Sequence, residues 1–202
     1  MLQERRRGAF IVLEGGDGAG KTVQARLLCS ALRRRGFDIH ATAEPSKSAV
    51  GRLIRRSILE KHKVLPESEA LLFAADRSLH LTSEIRPALS AGKTVVCDRY
   101  MYASFAYQGA QGVDLKWLRT INRFAENPDI AIYLDIPPEV GLKRIRRKKS
   151  VMEILDLQQR VREEYCRLVE TGELVAIDSN RPVREVADDI VSMVSQKLRT
   201  PK

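Results

Sequence analysis

The sequence predicts a single-domain α/β fold spanning residues 1–202, a parallel sheet of about five strands flanked by helices. Two observations carry this. Short apolar runs alternate with longer segments of helical spacing along the whole chain, and a glycine-rich turn joins the first run to the first helix. Parallel strands need crossover connections, and the pattern supplies a helix between almost every strand pair.

Residues 9–13 form an apolar run suited to a strand buried on both faces. Residues 21–35 place Val23, Leu27, Leu28, Ala31 and Leu32 at helical spacing, and Gly36 supplies the stop. Residues 37–43 read as a second strand and 50–59 as a helix carrying Val50, Leu53, Ile54 and Ile58. Pro66 opens a long helix to about residue 91, ended by Gly92 and kinked in its last turn by Pro87. Residues 94–97 are the third strand, and Asp114 can cap a helix bearing Leu115, Leu118, Ile121 and Phe124. Residues 129–134 are the fourth strand, and Pro137-Pro138 lead a helix into a strongly basic stretch. Residues 151–169 are helical, 174–177 are the fifth strand, and Pro182 begins the last helix.

Composition narrows the function classes. With 44% hydrophobic and 30% charged residues the chain is neither a disordered nor a fibrous one. No window approaches the ~18 apolar residues of a membrane helix, and the N-terminus does not read as a signal peptide. The expectation is a soluble cytoplasmic protein with no membrane partner. Cys29, Cys97 and Cys166 lie far apart with no C-x-x-C spacing, so neither a disulfide framework nor a zinc site is indicated. Lys and Arg exceed Asp and Glu by 35 − 26, a net charge of +9. Such an excess suits a nucleic-acid surface or an enzyme of anionic small molecules. The main basic cluster, residues 143–149, contains no aromatic residue, so no nucleic-acid partner is expected.

Gly15-Gly16-Asp17-Gly18-Ala19-Gly20-Lys21-Thr22 fits G-x-x-x-x-G-K-S/T in full, directly after a buried strand and opening a helix. Glycines let backbone N–H groups turn in around phosphate oxygens, and the helix N-terminus adds partial positive charge. Lys21, exposed until nucleotide arrives, would reach the β- and γ-phosphates, and the Thr22 hydroxyl is placed for Mg²⁺. The motif predicts the P-loop NTPase three-layer fold, with ATP as ligand and Mg²⁺ as cofactor. A guanine-reading N-K-x-D is missing, and the chain is short for a motor. Both facts favour a nucleotide or nucleoside kinase, which must hold two anionic substrates together away from water.

In five segments, the first of them containing the phosphate loop, the chain resembles the thymidylate kinase family, which transfers the ATP γ-phosphoryl group to dTMP. The similarity is collinear from Phe10 to about Val194. Residues 10–24 resemble F-x-x-x-E-G-x-D-G-x-G-K-T-T-Q, and Ala43-Glu44-Pro45-Ser46-Lys47 is similar to R-E-P or F-P-x-R. Leu71-Leu72-Phe73-Ala74-Ala75-Asp76-Arg77 resembles L-L-F-x-A-D/N-R. Residues 98–109 are similar to D-R-Y-x-x-S-x-x-A-Y-Q-G, and residues 134–144 to L-D-x-x-P-E-x-G-L-x-R.

The resemblance implies roles. Asp17 would bind the acceptor's sugar 3′-hydroxyl; Phe73 and Arg77, i and i+4 on one helix, would stack on a pyrimidine and bond its carbonyl. Asp98 would hold a Mg²⁺-bound water or orient the acceptor phosphate, and Arg99 would clamp that phosphate. Ser104, Tyr107 and Gln108 would line the base and sugar, and Lys47 would stand in for an acceptor-phosphate arginine. The family places a catalytic arginine either just after the loop aspartate or in a lid. Here Gly18 follows Asp17, so Arg146 and Arg147 in a short basic lid near residues 144–152 would supply it, with Arg144 on ATP. The resemblance also implies a homodimer. Each residue has a plainer reading beside this one: Asp17 as an Asx turn, Phe73 as core, Arg77 as a surface ion pair, Asp98-Arg99 as a structural pair, the lid as a solvated helix face. A broader kinase of dUMP, of another nucleoside monophosphate or of a deoxynucleoside remains the alternative. The chain departs from the family at Val23, Ala43 and Ala103 and in its shorter lid.

Overall fold

A computed structural model describes residues 7–57, 64–145 and 154–199. Five parallel strands form one sheet in the order β2-β3-β1-β4-β5: β1 Phe10–Glu14, β2 Ile39–Ala43, β3 Thr94–Asp98, β4 Ile130–Asp135 and β5 Val175–Asp178. Every residue of β1 is buried, because it lies mid-sheet with helices on both faces. Phe10 and Val12 point into the core with Tyr100, Phe105 and Tyr165; Ile11 and Leu13 point into the opposite core with Leu28, Leu32 and Ile190. Period-2 alternation along one strand therefore feeds two cores, which is the three-layer fold expected of the phosphate-loop motif.

The helices are α1 Lys21–Arg34, α2 Ala49–Ser57, α3 Pro66–His80, α4 Arg86–Ser90, α5 Met101–Ala110, α6 Leu115–Ile121, α7 Pro138–Arg144, α8 Leu155–Glu170 and α9 Val183–Arg199. Asp114 caps α6 as expected, accepting the Trp117 N–H at 2.8 Å.

Two expectations are corrected. The helix from Pro66 does not run regularly to residue 91. It widens into a π segment, Leu81–Ile85, in which the Arg86 N–H reaches the Leu81 carbonyl. Pro87 has no N–H for the Ser83 carbonyl and its ring would crowd that oxygen, so the wider turn precedes the proline. Helix α5 was not anticipated at all. Seven of its residues, from Met101 to Gln108, are buried, so it has no polar face to make a helical period visible.

Register positions the site. Leu13 of β1 pairs with Asp98 of β3, and the Arg99 N–H continues the ladder to the Leu13 carbonyl at 2.9 Å. The loop after β1 and the residues after β3 therefore leave the sheet side by side, at the strand ends where open α/β sheets bind ligands.

Candidate active site

The phosphate loop turns through Gly18 (φ 79°) and Gly20 (φ 91°) into α1. At Gly18 a second constraint applies: a Cβ there would sit 1.9 Å from the Gly141 carbonyl oxygen of α7. Only a glycine allows both the left-handed turn and that contact.

Lys21 is 7% exposed, which corrects the expectation of an exposed side chain. Its ammonium donates to the Gly15 and Gly16 carbonyls at 2.9 and 2.7 Å. Burial, then the Arg99 charge, lowers its pKa to about 8. The Thr22 hydroxyl donates to Asp98 Oδ2 at 2.6 Å. A hydroxyl and a carboxylate at one point are hard oxygen donors, a set that fits Mg²⁺ sharing its shell with phosphates and water.

Arg99 has φ 71°, in the left-handed region that a non-glycine residue seldom occupies. The turn sends its guanidinium back over the phosphate loop. One Nη2 donates to Asp17 Oδ1 at 2.5 Å and to the Tyr107 hydroxyl at 3.3 Å; Nη1 reaches the Gly15 carbonyl at 3.3 Å. The group also lies over the Tyr107 ring, 5.1 Å from its centroid.

Asp17 has a further partner that the sequence reading missed. Gln158 of α8, 3% exposed, accepts the Asp17 N–H at 3.0 Å and donates to Asp17 Oδ2 at 3.0 Å. The signal was available: Gln158 shares the buried stripe of α8 with Val161, Tyr165 and Leu168, where a polar side chain needs a partner. Glu14, fully buried at the end of β1, is the acidic residue of the 10–24 motif, for which the sequence alone suggests no role. It accepts from the Tyr100 N–H (2.8 Å), the Ala103 N–H (3.2 Å) and the Tyr165 hydroxyl (2.9 Å), and so ties the start of α5 to β1. Burial pushes its carboxyl up to about 7 against those donors and the Arg99 charge. An acid closing an otherwise apolar strand was its sequence signal.

Arg77 is not a surface residue. It is 1% exposed; its Nε donates to Glu44 at 2.9 Å, its Nη2 to the Tyr100 carbonyl and the Ser104 hydroxyl at 3.2 Å each, and its Nη1 to Asn122. Glu44 also meets the buried His80 ring at 3.2 Å. Phe73 is partly buried against the core beside α5, and Gln108 is buried with its amide donating to Glu69 at 3.0 Å. Lys47 is exposed. Arg144 donates to the Ser179 carbonyl at 3.3 Å, beside the end of β5. Arg146 and Arg147 lie outside the described residues.

A cavity of about 490 Å³ opens between these groups, lined by Asp17, Gly18, Gly20, Lys21, Thr22, Ala43, Glu44, Asp98, Arg99 and Ile145. The structure thus brings Asp17, Lys21, Thr22, Asp98 and Arg99 to one wall. Tyr107 and Gln158 stand behind Asp17 and Arg99; Arg77 joins through Glu44, and Ser104 through Arg77. Phe73, Lys47 and Gln108 do not line this cavity.

A central β1 flowing into a phosphate loop, with a carboxylate and an arginine delivered from the adjacent strand, defines a P-loop NTPase fold. The family model described as Thymidylate kinase matches residues 13–190. The chain is 46% identical over 201 residues to the "Probable thymidylate kinase" of Pyrococcus horikoshii, covering 95% of this chain and 98% of that one. It is 40% identical over 196 residues to the "Thymidylate kinase" of Synechococcus sp., covering 94% of this chain and 95% of that one. The chain belongs to the thymidylate kinase family.

Proposed function

We propose that this protein is a dTMP kinase: ATP and dTMP give ADP and dTDP. The observation that supports it most is the Asp17–Arg99–Tyr107 cluster set against a full phosphate loop, within a family match that spans the chain. An acceptor phosphate oxygen attacks the γ-phosphorus in line while the β,γ-bridging oxygen leaves with ADP. That attacking oxygen is anionic at neutral pH, so no general base is required, and positioning with charge compensation carries the rate. Lys21 and the loop N–H groups would take the ATP phosphates, with Arg144 on ATP near the end of β5. Thr22 and Asp98 would hold Mg²⁺, which neutralises developing phosphate charge when bound.

On the acceptor side Arg99 would clamp the phosphate and Asp17 the sugar hydroxyl. Tyr107 would pack the sugar edge, disfavouring a ribose 2′-hydroxyl. Phe73, Ser104, Gln108 and Arg77 would line the base. Arg77 would give up one of its 3.2 Å contacts to bond the base carbonyl, those being its longest. Lys47 would add charge from the turn after β2. Arg146 and Arg147 would meet the transferring phosphoryl.

The reading includes one catalytic domain, a cytoplasmic location and no nucleic-acid partner; among the described residues no helix is long and apolar enough to cross a membrane. It also includes a homodimer, supported by Leu53, Leu71 and Leu79 exposed on α2 and α3. ADP release with dTMP, dUMP, dCMP, dGMP and thymidine, and with single-stranded DNA, tests it. Turnover highest with dTMP supports the proposal; turnover with thymidine alone, or only with DNA, overturns it.

A further inference from the structure

The acceptor side depends on a turn, residues 44–48, that belongs to no strand or helix. Two consecutive residues of α3 hold it. Arg77 binds Glu44 at one end. Asp76, 1% exposed, holds the rest: Oδ2 accepts the Ser46 N–H at 2.6 Å, and Oδ1 accepts the Ser46 and Ser48 hydroxyls at 2.5 and 2.6 Å. The Ser48 oxygen in turn accepts the Gly51 N–H at 2.9 Å, so the carboxylate caps α2 through a serine. Gly51 packs against the same group; a Cβ there would lie 2.1 Å from the Ser46 carbonyl oxygen and 2.8 Å from Asp76 Oδ1. From the far side Arg55 of α2 donates to the Pro45 and Ser46 carbonyls.

Among the described residues the Asp76 side chain bonds only to Ser46 and Ser48 of the turn. A buried carboxylate is costly unless its lone pairs are filled, and here the turn fills them. Asp76 itself does not line the cavity, whereas Glu44, at the head of the turn, does. A turn ordered only on substrate arrival would lose its conformational entropy at that moment and weaken binding.

We propose that Asp76 is a positioning residue for the acceptor: it fixes the 44–48 turn so that Glu44 and Lys47 stand ready before dTMP binds. The proposal rests on reading this side of the site as the acceptor side.

The test is steady-state kinetics with amide hydrogen exchange on the full chain, for wild type, Asp76→Ala, Asp76→Asn and Ser48→Ala. Asp76→Ala should raise the dTMP KM about tenfold or more, as lost charge-assisted bonds imply, and hold the ATP KM within about twofold. Amides 46–51 should exchange faster. Asp76→Asn keeps an oxygen for both hydroxyls and loses only the Ser46 N–H acceptor, so it should restore most of the KM. If Asp76→Ala does not fold, Ser48→Ala removes its bond to Asp76 and the Gly51 cap while leaving both Ser46 bonds, and should shift the dTMP KM the same way by a smaller factor. A dTMP KM within about twofold of wild type in the folded variants, or an equal rise in both KM values, overturns the proposal. Wild type that phosphorylates another monophosphate and not dTMP overturns the acceptor assignment instead. The KM split is then read with that acceptor.

Discussion

Arg99 just after β3 and Asp17 in the phosphate loop form a 2.5 Å ion pair, joining the two segments that leave the sheet side by side. Only a fork-shaped cation makes all of its contacts, since Nη2 serves Asp17 and Tyr107 while Nη1 serves Gly15.

Arg99→Lys should therefore keep the charge and lose the function. We expect kcat/KM for dTMP to fall about 100-fold, roughly 2.7 kcal/mol of transition-state stabilisation. Combining it with Asp17→Asn should cost clearly less than the sum of the two single changes, because the residues act as a pair. Additive losses in a double-mutant cycle would mean that Arg99 and Asp17 work independently.

A second expectation concerns pH. Lys21 falls from its ordinary 10.5 to about 8 in the free enzyme, first through burial. Because the folded state binds this proton less tightly than the unfolded one, the site is least favourable below pH 8, and stability rises with pH between about 8 and 10.5. Bound phosphate charge raises the pKa again. ATP binding at pH 8 should therefore take up about half a proton, measurable by calorimetry in buffers of different ionisation enthalpy. kcat/KM for ATP should decline as pH rises through about 8, and Lys21→Ala should lower turnover by orders of magnitude with the fold retained. Binding at pH 8 without proton uptake would contradict this account of the lysine.

Arg77 should show two effects at once. Removing it leaves Glu44 buried without its guanidinium partner, a change that typically costs about 3–5 kcal/mol. Arg77→Ala should thus lower the denaturation midpoint and raise the dTMP KM, with the ATP KM nearly unchanged. A companion Glu44→Gln change should recover part of the stability and none of the dTMP affinity. Equal damage to both substrates would count against a base-side role.

The sheet, the phosphate loop and the ends of most helices were legible because each rests on local signals: period, caps, glycines and prolines. What was not legible depends on distant packing. Helix α5 is hidden because packing buries it on nearly every side, so no polar face marks its helical period. Gln158 lies 141 residues from Asp17, and no local pattern links an amide on one helix to a loop so far away. The same holds for Arg77, whose partners Glu44, Tyr100, Ser104 and Asn122 come from separate segments. Spacing alone places Arg77 on a helix face; only the fold shows that every donor group already has a protein partner.

The proposed lid arginines supply the fourth expectation. Arg146→Ala or Arg147→Ala should cut kcat by up to about 10³ and change either KM far less, with Arg144→Ala acting mainly on ATP. Single-turnover rates decide it. If all three variants stay within about tenfold of wild-type kcat, the lid is not the source of that charge.

The Gly18–Gly141 contact bears on how such a kinase can be re-engineered. Grafting the loop-borne arginine onto this chain looks like one substitution at position 18, but any side chain there starts 1.9 Å from a backbone oxygen of α7 at a left-handed φ. The reciprocal glycine is equally tight: a Cβ on Gly141 would meet the Asp17 carbonyl oxygen at 2.5 Å. The two backbones therefore have to separate together before either position can diversify. Placing an arginine in the loop is a change of helix placement, reachable by repacking α7 and not by point mutation of the loop.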